Sequence, residues 1–360
     1  MVRLQSEKST VIIDLCAHLQ ARMQAEGPLS VADYMHECLF HPQWGYYNTR
    51  SPIGAAGDFI TAPEISQMFG EMIGAWLQDL WQRLDQPRKV NLVELGPGQG
   101  TLMQDLLRSI GPNFKKALSV HMLEISPVLQ NQQQDRLQSE TVVWHPDLEH
   151  TLAACQDAPL FIVANEFFDA LPVHQMIKQG QDWVEQRIDW CNQENCFRFT
   201  QDLSKVTSDA VFETCPMAQD IMQKLSQKIV QLEGAMLVID YGYQDGSTGA
   251  TLQAVSKHKY HDPLLHIGKV DLTAHVDFKT LVEVAGTQGA QTWGPTSQGD
   301  FLYKLGIRLR AQQLQRKASS RQRAELEQSL HRLICPTQMG TLFKVLAVTA
   351  PNTPIPSGFS

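Results

Sequence analysis

Glu94-Leu95-Gly96-Pro97-Gly98-Gln99-Gly100 is the stretch on which the reading of this chain turns. It follows a strand-like run, Lys89 to Val93, and opens a helical pattern, Thr101 to Ile110. A strand-to-helix turn built on alternate glycines lets backbone approach a ligand closely, because no Cβ intervenes. The spacing is GxGxG. A dinucleotide fingerprint reads GxGxxG, and the position where it needs glycine is Thr101 here. The Lys-Ser/Thr pair that ends a nucleotide phosphate loop is also missing. Glu94, two residues before the first glycine, suits a ligand carrying positive charge better than one carrying pyrophosphate.

Further acids follow at the same periodicity of strands. Leu118 to Leu123 is apolar and ends in Glu124, placed to accept hydrogen bonds from ribose hydroxyls; the alternative is a solvated strand end. An amphipathic stretch, Pro127 to Leu137, precedes a short strand, Thr141 to Trp144, and then Asp147-Leu148, where an adenine amino group would sit. A fourth strand, Leu160 to Ala164, runs into Asn165-Glu166-Phe167-Phe168-Asp169. This order predicts an α/β fold: a Rossmann-like, doubly wound, mostly parallel sheet with ligands at the carboxyl ends of its strands. The expected cofactor is S-adenosyl-L-methionine (SAM), held by Glu94, Gly96, Gly98, Gly100, Glu124, Asp147, Leu148 and Asn165.

Composition narrows the class. At 360 residues the chain exceeds what one compact core usually spans, so a core with added segments is expected. No apolar run is long enough to cross a bilayer, and the first residues lack a signal-peptide core. Seven scattered cysteines fit reduced thiols, which places the chain in the cytoplasm as an expectation. Cys191 and Cys196 have no second pair to complete a zinc site, and His258, His261 and His266 lack Cys partners or a helical HExxH, so no metal is expected. The net charge of −8 argues against a general nucleic-acid binder.

Residues 1–87 read as a helical segment over the cofactor site, with helices at 8–26 and from Ser30 to before His41. Thr61-Ala62-Pro63-Glu64 has capping-box spacing and opens an amphipathic helix with apolar residues from Met68 to Leu84. Residues 88–349 form the core, with insertions at about 173–216, 242–275 and 297–334. Val173–Ile177 and Trp183–Trp190 flank Gly180 as a hairpin, 244–271 is loop-like, and Thr341–Val348 closes the sheet as an antiparallel strand. The proline-containing tail, 350–360, is expected to be flexible.

The step Asn165-Glu166-Phe167-Phe168 is where acceptor chemistry is expected. Enzymes that methylate neutral exocyclic amines often carry Asn/Asp-Pro-Pro-aromatic here; this chain keeps the Asn and aromatics but has Glu166, and adds Asp169. A carboxylate suits a guanidinium, whose donors match a carboxylate fork. The alternative is that both acids cap a following helix.

The sequence resembles the MidA family of SAM-dependent methyltransferases, whose eukaryotic branch is the mitochondrial complex I assembly arginine methyltransferase. The matching blocks include Gly57-Asp58-Phe59-Ile60-Thr61-Ala62-Pro63-Glu64, Val93 to Leu107, Asn165 to His174, Asp240-Tyr241-Gly242 and Asp271 to Phe278. One departure is Gln99, where the family usually has arginine. The resemblance covers nearly the whole chain. It implies a protein-arginine methyltransferase, with Glu166 and Asp169 catalytic and with Asp58, Phe59, Glu64, Phe167, Phe168 and His275 on the substrate side. In the eukaryotic branch the protein substrate is a core subunit of respiratory complex I, dimethylated symmetrically. Two rivals stay open: a small-molecule or RNA methyltransferase, for which the eight Lys/Arg of 301–332 offer a basic face, and a SAM-binding assembly factor without turnover.

Overall fold

The computed structural model describes residues 14–49, 61–203, 206–207, 210–246, 249–256 and 259–359. Its main sheet has eight strands, of which Val276–Asp277 pairs only with the end of β5 and the other seven form one path: β1 (Val90–Leu95), β2 (Leu118–Leu123), β3 (Val142–His145), β4 (Leu160–Asn165), β5 (Ala235–Tyr243), β6 (Gln291–Ser297) and β7 (Phe343–Thr349). Their spatial order is β6-β7-β5-β4-β1-β2-β3. Neighbours from β5 to β3 are parallel, and β7 runs antiparallel between β5 and β6. The chain reverses direction across the sheet between β1 and β4, which puts the topological switch point beside the Gly96–Gly100 turn.

Alternate residues of the central strands feed two cores. Leu92, Phe161, Val163, Leu237 and Ile239 join the core on one face, and Val93, Leu95, Ile162, Met236 and Val238 the core on the other. Both faces are covered, so these strands read as unbroken apolar runs. On the first face lie α3 (Gln67–Arg83) and α4 (Thr101–Ser109), after the N-terminal helices α1 (Leu15–Glu26) and α2 (Val31–Phe40). A Cβ at Gly70 would stand 2.7 Å from Asp105 Cβ, so the glycine lets α3 and α4 pack closely. Along the chain follow α5 (Pro127–Arg136), α6 (Leu148–Ala154), α7 (Pro216–Leu232) and α8 (Phe278–Thr287). Helix α6 is one the sequence reading missed: it is short, and Asp147 caps it by accepting from His150 N at 2.8 Å.

Helices α1 and α2 share a third core with Val173, Ile188, Phe197, Ala254 and Leu272, all from inserted segments. The expected single hairpin is two. His174–Gln179 pairs with Asp182–Glu185, and Arg187–Cys191 pairs with Cys196–Phe199 and with Leu29–Ser30. The 244–271 region, expected as loop, contributes Gln253–Ser256 and Lys259–His261, which build a small sheet with Asp271–Thr273. The capping box at Thr61 does not form: Ala62–Ile65 is a single helical turn, and Ser66, in extended backbone, caps α3 instead.

The tail also departs from expectation. Trp76 Nε1 donates to Ser357 O at 3.1 Å, the Phe359 ring lies 5.3 Å from that of Phe301, and Thr353 is buried. Packing of the partly buried Phe359 and the indole bond fix a segment that its prolines alone would leave loose.

Candidate active site

A cleft of about 360 Å³ opens at the carboxyl edge of the sheet. Gly96, Gly98, Glu124, Asp147, Leu148, Glu166, Phe167 and Asp169 line it, so eight of the residues singled out from the sequence meet there. Glu94 and Asn165 are buried at the ends of β1 and β4. Gly100 caps α4 beneath the turn. The N-terminal segment supplies His36, Phe40, Tyr47 and Thr61 to the lining.

On the β1–β3 side the turn adopts left-handed backbone at Gly96 (φ 59°), Gly98 (φ 54°) and Gly100 (φ 78°). Few other residues adopt that region without cost, and a Cβ at Gly96 would reach 3.0 Å from the Phe167 ring. Glu124 accepts from Ser126 N (2.8 Å) and Gln133 Nε2 (2.9 Å). Burial raises its carboxyl to about 7 despite those bonds. Burial, and then the Glu124 charge, raise Glu94 to about 8, and Glu94 Oε2 has no hydrogen-bond partner among the described residues. A buried, unpartnered carboxylate oxygen fits an ammonium ligand.

On the β4–β5 side, Glu166 has φ 51°, an uncommon conformation for a non-glycine residue. No helix starts there, so the helix-capping alternative fails. The N–H groups of Phe167, Phe168 and Asp169 instead donate to one oxygen, Asp240 Oδ2, at 3.2, 3.0 and 3.2 Å. Asp240 is fully buried on β5, and its pKa is pushed well up by burial and by the charges of Asp169 and Glu166. Glu166 Oε1 accepts from Ala62 N and Asn165 Nδ2, each at 3.2 Å. Burial and then Asp169 raise Glu166 to about 7, and burial raises Asp169 to about 6. Asn165 Oδ1 is buried without a hydrogen-bond partner among the described residues, and the buried Tyr241 side chain interacts with Asp169. Asp271 and Tyr47 complete the acidic wall, with the Tyr47 hydroxyl donating to Asp271 Oδ1 at 3.1 Å.

Several expected contacts lie elsewhere. Glu64 accepts from the Thr101 hydroxyl and stands 3.6 Å from Arg136, so its charge is used beneath the turn. Phe168 is buried in the core behind the cleft. His275 packs edge-on against Tyr241 and faces a separate cavity of about 270 Å³. Asp58, Phe59 and His258 lie outside the described residues. Asp147 spends its carboxylate on the α6 cap, at the cleft rim. Gln99 accepts from Arg136 at 3.2 Å. Sequence reasoning gave no role to Asp240, Tyr241, Asp271 or Gln133, although Asp240-Tyr241 and Asp271 stood in matched blocks. Among the described residues, one trio has metal-ligand proximity: His18, Glu37 and His41. There His41 Nδ1 accepts from two backbone N–H groups, and Arg22 pairs with Glu37 at 2.8 Å.

A family model described as "Putative S-adenosyl-L-methionine-dependent methyltransferase" matches residues 72–296. The chain belongs to that family. It is 36% identical over 370 residues to the mitochondrial protein arginine methyltransferase NDUFAF7 homolog of Drosophila melanogaster, covering 93% of this chain and 84% of the relative. Against mitochondrial protein arginine methyltransferase NDUFAF7 of Homo sapiens the identity is 36% over 377 residues, covering 94% and 83%. A COG1565 superfamily member from Burkholderia thailandensis, solved with S-adenosyl-homocysteine bound, superposes with a TM-score of 0.81 at 24% identity over 96% of this chain and 93% of that one. The family's methyltransferases depend on SAM, and the glycine turn with its unpartnered Glu94 oxygen fits that cofactor.

The same comparisons correct one expectation. The curated relatives are named as mitochondrial proteins, which overturns the cytoplasmic placement. Unpaired cysteines report a reducing compartment and do not say which one. Among the described residues, no helix is long and apolar enough to cross a membrane.

Proposed function

We propose that this chain methylates an arginine of a protein substrate, with Glu166 as the carboxylate that receives the guanidinium. The observation that carries this reading is the acidic wall of the cleft, where Glu166, Asp169 and Asp271 line one surface with Tyr47 and Tyr241. SAM supplies an electrophilic methyl group when bound. Glu124 would accept from the ribose hydroxyls, and Glu94 would hold the ammonium end. Glu166 orients the guanidinium, localises electron density on one nitrogen and accepts the proton given up there. Asp169 steadies the arrangement from the second side.

Magnitudes favour this assignment. Two unit charges about 4 Å apart attract by roughly 4 kcal/mol at a surface-like dielectric, enough to hold and orient a guanidinium. Positioning for an in-line displacement supplies up to about 7–11 kcal/mol of a barrier, so Glu166 need not be a strong base. The raised pKa values of these acids mark a site that gains by receiving a cation. An RNA acceptor is disfavoured by the same wall, since phosphate would face carboxylates.

The family resemblance makes a core subunit of respiratory complex I the protein to test first. Mass spectrometry of cellular proteins with and without this chain reads the outcome. Loss of dimethylarginine from one protein on deletion supports the reading. An unchanged arginine methylation profile, with a methyl mark lost from RNA or a small molecule, overturns it.

A further inference from the structure

Gln133 lies on α5, outside every block quoted above, and its side chain is completely buried. Its amide makes three hydrogen bonds to three different strand ends. Nε2 donates to Gly98 O at 2.7 Å, in the turn after β1, and to Glu124 Oε2 at 2.9 Å, after β2. Oε1 accepts from Trp144 Nε1 at 2.8 Å, on β3. An indole N–H only donates and an ionised carboxylate only accepts, so the amide has one orientation that satisfies both.

We infer that Gln133 is a positioning residue for the cofactor, locking the Glu124 carboxylate and the Gly98 peptide into one rigid frame. Glu124 has Ser126 N on one oxygen and Gln133 on the other, so its remaining lone pairs point where the frame sets them. The Gly98 carbonyl is fixed by the same amide, which ties the turn to the ribose-side acid. A buried acid needs such support twice over, to hold its direction and to stay ionised among apolar neighbours. The inference rests on the assignment of Glu124 to the ribose hydroxyls, and the test separates the two.

The experiment is calorimetric binding of S-adenosylhomocysteine and its 2′-deoxyribose analogue to wild type and to Gln133→Met, with thermal denaturation as the control for folding. Removing the ribose hydroxyl is expected to weaken wild-type binding about tenfold, as one hydrogen bond to a charged group implies. In Gln133→Met the same removal is expected to cost less than about threefold, because the carboxylate no longer points at that hydroxyl. A general structural defect would lower both affinities and leave the ratio unchanged. An unchanged ratio in a folded Gln133→Met protein overturns the inference. A wild type indifferent to the hydroxyl overturns the Glu124 assignment itself, and the inference with it. If Gln133→Met does not fold, Trp144→Phe frees the amide while keeping both donors. A reduced ratio in that variant supports the inference, and a wild-type ratio overturns it.

Discussion

The two halves of the cleft reach unusual backbone by different means. Beside β1 the left-handed positions fall on Gly96, Gly98 and Gly100, which adopt them at no steric cost. Beside β4 the left-handed position falls on Glu166, a residue for which such backbone costs about 1–3 kcal/mol. That strain is held by Asp240, whose single oxygen gathers three successive N–H groups from the following turn. The glycine turn is thus specified by its own residues, whereas the acidic step depends on a partner supplied by another strand.

The largest expected effect comes from removing that partner. Asp240→Ala leaves three buried N–H groups without an acceptor and should lower unfolding free energy by about 3 kcal/mol or more, read by urea denaturation. A change below about 1 kcal/mol would mean that the turn holds itself, and the contrast between the halves would disappear. The glycine side breaks differently. Gly98→Val forces a branched side chain into φ 54°, and SAM affinity should fall on the order of 10²-fold, about 3 kcal/mol. Calorimetry giving wild-type affinity in a folded Gly98→Val protein would remove the turn from the cofactor site.

The contrast also explains what the sequence made legible. The parallel sheet, the antiparallel last strand and the glycine turn follow from local patterns of apolar runs and punctuation. Glu124, Glu166 and Asp169, which line one cleft, could be grouped from the sequence because acids at strand ends converge wherever strands run parallel. Asp240 and Gln133 escaped because hydrogen bonds made across many intervening residues leave no spacing to read. Phe168 and Glu64 were misplaced for a related reason. Only packing decides which residues of one motif face the ligand.

Titration sharpens the comparison at intermediate size. Glu94 is raised from an ordinary 4.5 to about 8, so its neutral form favours the folded state. Its contribution is fully present below about 4.5 and is lost as pH rises towards 8. Glu94→Gln keeps the shape without the ionisation. The thermal midpoint of wild type relative to Glu94→Gln should therefore fall as pH rises across that window, measured without cofactor. A relative midpoint that climbs would show that Glu94 is stabilised as a charge.

The smallest effect is expected at Gln99. Arginine there would lose the bond from Arg136 and face a like charge, so Gln99→Arg should cost no more than about 0.5 kcal/mol. SAM affinity should stay within about twofold, since the glycines and not this side chain shape the turn. A complete loss of binding, by calorimetry, would reveal a constraint at this position that the turn geometry does not contain.

Single-turnover methyl transfer by Glu166→Gln bears most directly on the central claim that a carboxylate at the strained step receives the guanidinium. The substitution keeps hydrogen-bonding reach and removes the charge. With a methylated protein substrate in hand, the rate should fall by roughly 10² or more while SAM affinity barely moves. The wild-type rate should rise with pH through about 7, where Glu166 ionises, and the variant should lack that limb. Transfer by Glu166→Gln at the wild-type rate, with the wild-type pH profile, would contradict the claim.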